Sequence, residues 1–260
     1  MEHETVRVGG AEMAVYRRTG DSPRARPELI WAHGWGHTHR NLLPLSDVMQ
    51  RQAVSLLLDF PGFGASPVPP DAWGTADYAD AVAEWLAAQP PGRRIWIAHS
   101  FGARVGLQLA ARDPELLAGL FLIAAAGLPP QRSLGARARI TARRWAFRTA
   151  RRFVPEGPGR DRLRWLFGSA DYRQAGPLRP ILVKAVTEDL TEVARRVRCP
   201  AVLVYGDDDY ETPPEMGERL NALMPRSRLV VLRGFDHWNV LTDGHHQIVQ
   251  RLSEFMEQVG

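Results

Sequence analysis

The chain has 260 residues, 45% hydrophobic and 24% charged, which suits one globular domain able to bury a core and a pocket. A single cysteine, Cys199, excludes an internal disulfide and a cysteine-based metal centre. The formal net charge of +4 is almost all arginine, with Lys184 the only lysine; a codon bias explains that total but not where the arginines sit.

No apolar run reaches the ~18 residues of a membrane span. The acidic start Met1-Glu2-His3-Glu4-Thr5 has no apolar stretch behind it, so a cytoplasmic protein without a secretory signal is expected.

Residues 5–8 and 13–17 read as two strands joined by a tight turn at Gly9-Gly10. Residues 29–32 form a short apolar strand that runs into His33-Gly34-Trp35-Gly36, and a helix or turn follows at 40–49. Residues 53–58 are a strongly apolar strand, followed by the glycine-rich turn Asp59-Phe60-Pro61-Gly62-Phe63-Gly64-Ala65-Ser66. Tyr78, Val82, Trp85 and Leu86 give residues 75–88 a helical period that stops at Pro90-Pro91-Gly92.

The strand Ile95-Trp96-Ile97-Ala98 enters His99-Ser100-Phe101-Gly102 and continues at once into an apolar helix at 105–111. Another strand follows at 120–123. After about seventy residues of broken pattern come a strand at 201–205, a helix near 214–223, a strand at 229–232 and a last helix near 245–256. Strands alternating with helices predict a mostly parallel eight-stranded sheet covered by helices on both faces. In such sheets the working groups gather at the carboxyl ends of the strands.

Strand, sharp turn and helix around Ser100 make the geometry of a nucleophile elbow, which forces the serine into strained dihedrals and lifts its hydroxyl clear. Gly102 is explained if the new helix passes close to the strand it leaves. The pattern's other glycine is replaced by Ala98, the smallest substitute. A serine hydroxyl needs a base to take its proton, and the base needs an acid to orient it. Two later stretches offer both: Gly206-Asp207-Asp208-Asp209-Tyr210-Glu211-Thr212-Pro213, and Gly234-Phe235-Asp236-His237-Trp238, each directly after a strand.

Together with His33-Gly34-Trp35-Gly36 and Asp59-Phe60-Pro61-Gly62-Phe63-Gly64, these pieces resemble the α/β-hydrolase superfamily over nearly the full length, in its serine esterase and lipase-like branch. The resemblance implies Ser100 as nucleophile, His237 as general base and Asp209 as its acid, with Asp207 and Asp208 as rivals. It also implies an oxyanion hole from the backbone N–H groups of Trp35 and Phe101, and a bracing role for His33. The side chains of Trp35, Phe101 and Trp238 are candidates for the substrate pocket. His99 reads as a packing residue, and Asp236, His245 and His246 as surface residues. The spacing of His33, His37 and His39 suggests a metal only weakly, since no carboxylate or cysteine stands beside them; no metal and no cofactor are expected.

The broken segment occupies the place of a helical cap in this superfamily. The expected organisation is a core from 1–127, an arginine-rich cap from 128–194, and the rest of the core from 195–260. Residues 131–152 hold eight arginines and no acid. Helices are expected there along Leu134, Ala138, Ala142, Trp145 and Phe153, at 161–167, and at 180–196. The arginines are either a solvated basic face or a site for an anion: a substrate carboxylate, the phosphates of a coenzyme A thioester, or an acidic carrier protein.

The reading is a hydrolase cleaving a carboxylic ester, thioester or lactone through an acyl-enzyme. The alternatives are a carbon–carbon bond hydrolase of ring-cleavage type, an esterase similar to bacterial enzymes that demethylate pimeloyl on acyl carrier protein, and a ligand-binding homologue without turnover. The partner is a small-molecule ester, anionic if the arginines meet it. Nothing suggests nucleic-acid binding.

Overall fold

The computed structural model describes residues 1–19, 27–129 and 170–259. Eight strands form one sheet: β1 Glu2–Val8, β2 Ala11–Arg18, β3 Glu28–Ala32, β4 Ser55–Asp59, β5 Arg94–His99, β6 Gly119–Ile123, β7 Ala201–Gly206 and β8 Ser227–Leu232. Their order is β1-β2-β4-β3-β5-β6-β7-β8. β2 pairs antiparallel with β1 and β4, and every later pairing is parallel. Gly9 and Gly10, with φ of 57° and 78°, make the two-residue turn that joins β1 to β2.

The central strands are apolar along their whole length because both faces are covered. Ile30, Ala32, Leu56, Leu58, Trp96, Leu120, Leu122 and Leu203 enter one core. Leu29, Trp31, Leu57, Ile95, Ile97, Phe121, Val202 and Val204, which alternate with them, enter the other. Each of the leucine, isoleucine, valine and phenylalanine side chains contributes roughly 1.5–3 kcal/mol when fully buried.

The helices are α1 Leu43–Met49, α2 Thr75–Ala87, α3 Phe101–Arg112, α4 Ala170–Gln174, α5 Arg179–Thr187, α6 Thr191–Ala194, α7 Pro214–Leu223, α8 Asn239–Thr242 and α9 His245–Val259. α2, α3, α6 and α7 cover the first face, and α1, α8 and α9 the second. α9 does so through Ile248, Leu252, Phe255, Met256 and Val259, a stripe at helical spacing.

The chain goes from β3 to β4 on one side and then to β5 on the other, so β3 and β5 are neighbours at a switch point, where such sheets place their sites. The loops after both strands carry residues singled out in the sequence.

The helix expected at 180–196 is two helices. Glu188 turns extended, with φ −64° and ψ 137°, and ends α5. Its carboxylate accepts the Thr75 N–H at 2.8 Å and the Thr75 hydroxyl, so it caps the N-terminus of α2. Asp189 then accepts the Thr191 N–H and hydroxyl and starts α6. The helical stripe at 134–153, the segment at 161–167 and the arginines of 131–152 lie outside the described residues.

Candidate active site

Ser100 stands between β5 and α3 with φ 47° and ψ −102°, a strained conformation for a residue with a side chain. The cause is local. The backbone must reverse between a buried strand and a helix that sets off at once, and Gly102 permits it. A Cβ on Gly102 would stand 2.5 Å from the Ala32 carbonyl oxygen and 2.8 Å from that of His33. The close approach is therefore to the end of neighbouring β3, not to the strand that α3 leaves. The Gly102 N–H donates to His33 O at 3.1 Å and ties the two loops together.

Three side chains distant in sequence meet at this edge of the sheet. His237 Nε2 is 3.1 Å from Ser100 Oγ, and His237 Nδ1 is 2.8 Å from Asp209 Oδ2. Asp209 is buried and fully used: Oδ1 accepts the N–H groups of Glu211 and Thr212, each at 2.8 Å, and Oδ2 accepts the Thr212 hydroxyl at 2.7 Å. Of the three consecutive aspartates, Asp209 is the one that touches His237. Asp207 and Asp208 are exposed, and Asp207 accepts the Gly234 N–H. Asp236 is exposed too and caps a turn through the N–H groups of Trp238 and Asn239.

The histidines after β3 separate into three tasks. His33 is fully buried; Nδ1–H donates to Gly34 O at 2.7 Å and Nε2 accepts the Phe60 N–H at 3.1 Å. That pair requires a neutral ring, and burial pushes its pKa down to about 4 against the Gly34 hydrogen bond. His39 meets Asp59 at 3.0 Å. His37 stacks on His99 with ring centres 5.7 Å apart. Burial and the neighbouring His237 hold both the His37 and His99 rings below the ordinary histidine pKa. His99 is buried and bonds the main-chain carbonyl of His237 at 3.0 Å, so its packing role includes fixing the loop that carries His237. Among the described residues, no group of three or more His, Cys, Asp or Glu could hold a metal ion.

A cavity of about 330 Å³ opens on Ser100 and His237. Trp35 and Phe101 line it, together with Arg104, Leu182, Ala185, Glu188, Glu211 and Met216. Trp35 and Phe101 meet edge to face at 5.6 Å. Among the described residues no acceptor takes either backbone N–H. Trp238 does not join them: it is 44% exposed and lies against the rings of His37 and His237, outside the described lining.

Sequence reasoning missed four residues here. In the sequence Thr212 shows only as part of a polar turn. Asp59 was read as part of a glycine-rich turn; its buried carboxylate in fact accepts the N–H groups of His39 and Ala65 and the Tyr16 hydroxyl. Glu188 was hidden inside an expected helix. Arg104, one helical turn beyond Ser100, carried a legible signal, since that spacing places it beside the serine.

The model of the alpha/beta hydrolase family matches residues 29–251. The chain is 29% identical over 247 residues to the pimeloyl-acyl-carrier-protein methyl ester esterase of Chromobacterium violaceum, covering 89% of this chain and 94% of that protein. The protein of the same name in Yersinia pseudotuberculosis is 25% identical over 228 residues, covering 81% and 86%. A solved structure of a thermophilic esterase from Thermogutta terrifontis, malate bound, shares the fold with a TM-score of 0.72 at 20% identity, covering 100% of this chain and 99% of that one. By sheet order, elbow and family match over most of its length, the chain belongs to the alpha/beta hydrolase family.

Proposed function

We propose that the protein is a serine hydrolase that cleaves a carboxylic ester through an acyl-enzyme. Ser100 Oγ attacks the ester carbonyl while His237 Nε2 takes its proton. The resulting imidazolium is held by Asp209 and gives that proton to the departing alcohol. Water, activated by the same imidazole, then attacks the acyl-enzyme, releases the acid and restores Ser100. The backbone N–H groups of Trp35 and Phe101 are the donors for the tetrahedral oxyanion, a role worth roughly 3–4 kcal/mol per donor in related chemistry.

The observation that carries this reading is the unbroken hydrogen-bonded chain from Ser100 through His237 to Asp209, on a serine held in strained backbone. The test is a panel of methyl and p-nitrophenyl esters, lactones, thioesters and vinylogous diketones. Hydrolysis of esters supports the reading; cleavage of the diketones alone contradicts it.

In the same proposal residues 128–194 form a cap between two core segments, 1–127 and 195–260. Leu182 and Ala185 of α5 already wall the cavity from that segment, which excludes water from the reacting bond. A cytoplasmic setting fits the lone buried thiol of Cys199.

One narrower substrate has specific support. Both curated relatives are esterases of a methyl ester on acyl carrier protein, and the eight arginines of 131–152 suit an acidic carrier. On that reading turnover of a carrier-borne methyl ester falls steeply between low and high salt, while a small neutral ester is unaffected.

A further inference from the structure

Arg104 lies in the first turn of α3 after Ser100, and both residues line the same cavity. Its Nη1 is enclosed by protein and, among the described residues, has no hydrogen-bond partner. A guanidinium inside protein is ordinarily held by a carboxylate fork, because its N–H groups lose water on burial. The carboxylate that acts on it, Glu188, has both oxygens engaged by Thr75. Glu188 therefore offsets part of the charge and leaves a donor free. Asp171 and Glu211 also line the cavity: Asp171 is half-buried, and the exposed Glu211 lies 3.7 Å from His237 Nε2, where solvent weakens its field. Leu182, Ala185 and Met216 give the same cavity apolar lining.

We propose that Arg104 determines specificity at the acyl site by taking the free carboxylate of a dicarboxylic acid monoester whose ester carbonyl lies at Ser100. With Arg104 in the first turn of α3, directly after Ser100, and sharing the cavity lining with it, the length of the arginine side chain suits a spacer of a few methylenes. This rests on the serine hydrolase reading. It favours a small free acid over a chain on a carrier, whose far end would lie outside the cavity.

The test compares monomethyl adipate with methyl hexanoate, two methyl esters of six-carbon acyl groups, by kcat/KM in the wild-type protein, Arg104→Gln and Arg104→Lys. The wild-type protein favours the monoester at least tenfold. Arg104→Gln lowers that ratio about a hundredfold, mostly through KM for the monoester, and Arg104→Lys restores part of it. A ratio that is the same in all three proteins overturns the proposal.

Calorimetry on the Ser100→Ala protein tests the site without touching Arg104 and without turnover. Monomethyl adipate binds at least ten times more tightly than methyl hexanoate if the proposal holds, and equal affinities overturn it. The two readings fail separately. Selective binding with no hydrolysis by the wild-type protein defeats ester cleavage alone, and hydrolysis blind to Arg104 defeats this inference alone.

Discussion

Thr212 Oγ1 lies 2.7 Å from Asp209 Oδ2, the same carboxylate oxygen that receives His237 Nδ1 at 2.8 Å. The hydroxyl also lies 3.2 Å from the Ala124 carbonyl and 3.1 Å from His237 Nδ1, so it bridges β6, β7 and the loop after β8. In the proposed mechanism Thr212 is a positioning residue: it holds the carboxylate that orients His237. Thr212→Val is expected to lower kcat by about 10–100-fold with little change in KM, since the lost contact serves the base rather than substrate binding. Thr212→Ser, which keeps the hydroxyl, restores most of the rate. Steady-state kinetics on a p-nitrophenyl ester check both.

Gly102→Ala has an expected sign opposite to the general rule. Alanine within a helix stabilises by up to ~1 kcal/mol over glycine. Here the added Cβ meets two backbone carbonyls of the neighbouring strand end, which cannot move aside cheaply. The variant should lose about 2 kcal/mol or more, read as a lower midpoint in urea unfolding.

Ser100→Gly and Ser100→Ala separate strain from chemistry. Both remove the hydroxyl, but only glycine relaxes a φ of 47° with ψ −102°. The glycine variant is expected to be more stable than the alanine variant by about 1 kcal/mol, measured by thermal unfolding at equal pH.

Asp59 predicts a pH effect on stability. Burial pushes its pKa up, but hydrogen bonds from the His39 and Ala65 N–H groups and the His39 ring outweigh that and hold it below the ordinary aspartate value. A depressed folded pKa gives stability that is complete above the unfolded value of ~4. That stability is lost as pH falls through the lower folded value. Asp59→Asn should cost about 2–4 kcal/mol at neutral pH and flatten the loss of stability below pH ~4. Chemical denaturation across acidic pH measures both.

Much of the fold was legible because its strands are continuous apolar runs between glycine and proline turns, and burial on both faces leaves no other reading of 29–32, 53–58 or 201–205. That Ser100, an aspartate and His237 meet was legible because each follows a strand, but only the family resemblance separated Asp209 from Asp207 and Asp208. Thr212, Asp59 and Glu188 were not legible, for one shared reason. Each acts through contacts with distant chain, such as Glu188 with Thr75 across 113 positions, and local spacing carries no trace of them. Trp238 is a pocket candidate in the sequence, yet its ring lies against His37 and His237 and is 44% exposed.

The central claim is that Ser100 is the nucleophile, and labelling with a fluorophosphonate tests it most directly. The account predicts one adduct per chain, mapped to Ser100 by peptide mass spectrometry, with both adduct and ester turnover absent from Ser100→Ala. A fully active Ser100→Ala protein, or an adduct on any other residue with turnover intact, would contradict it.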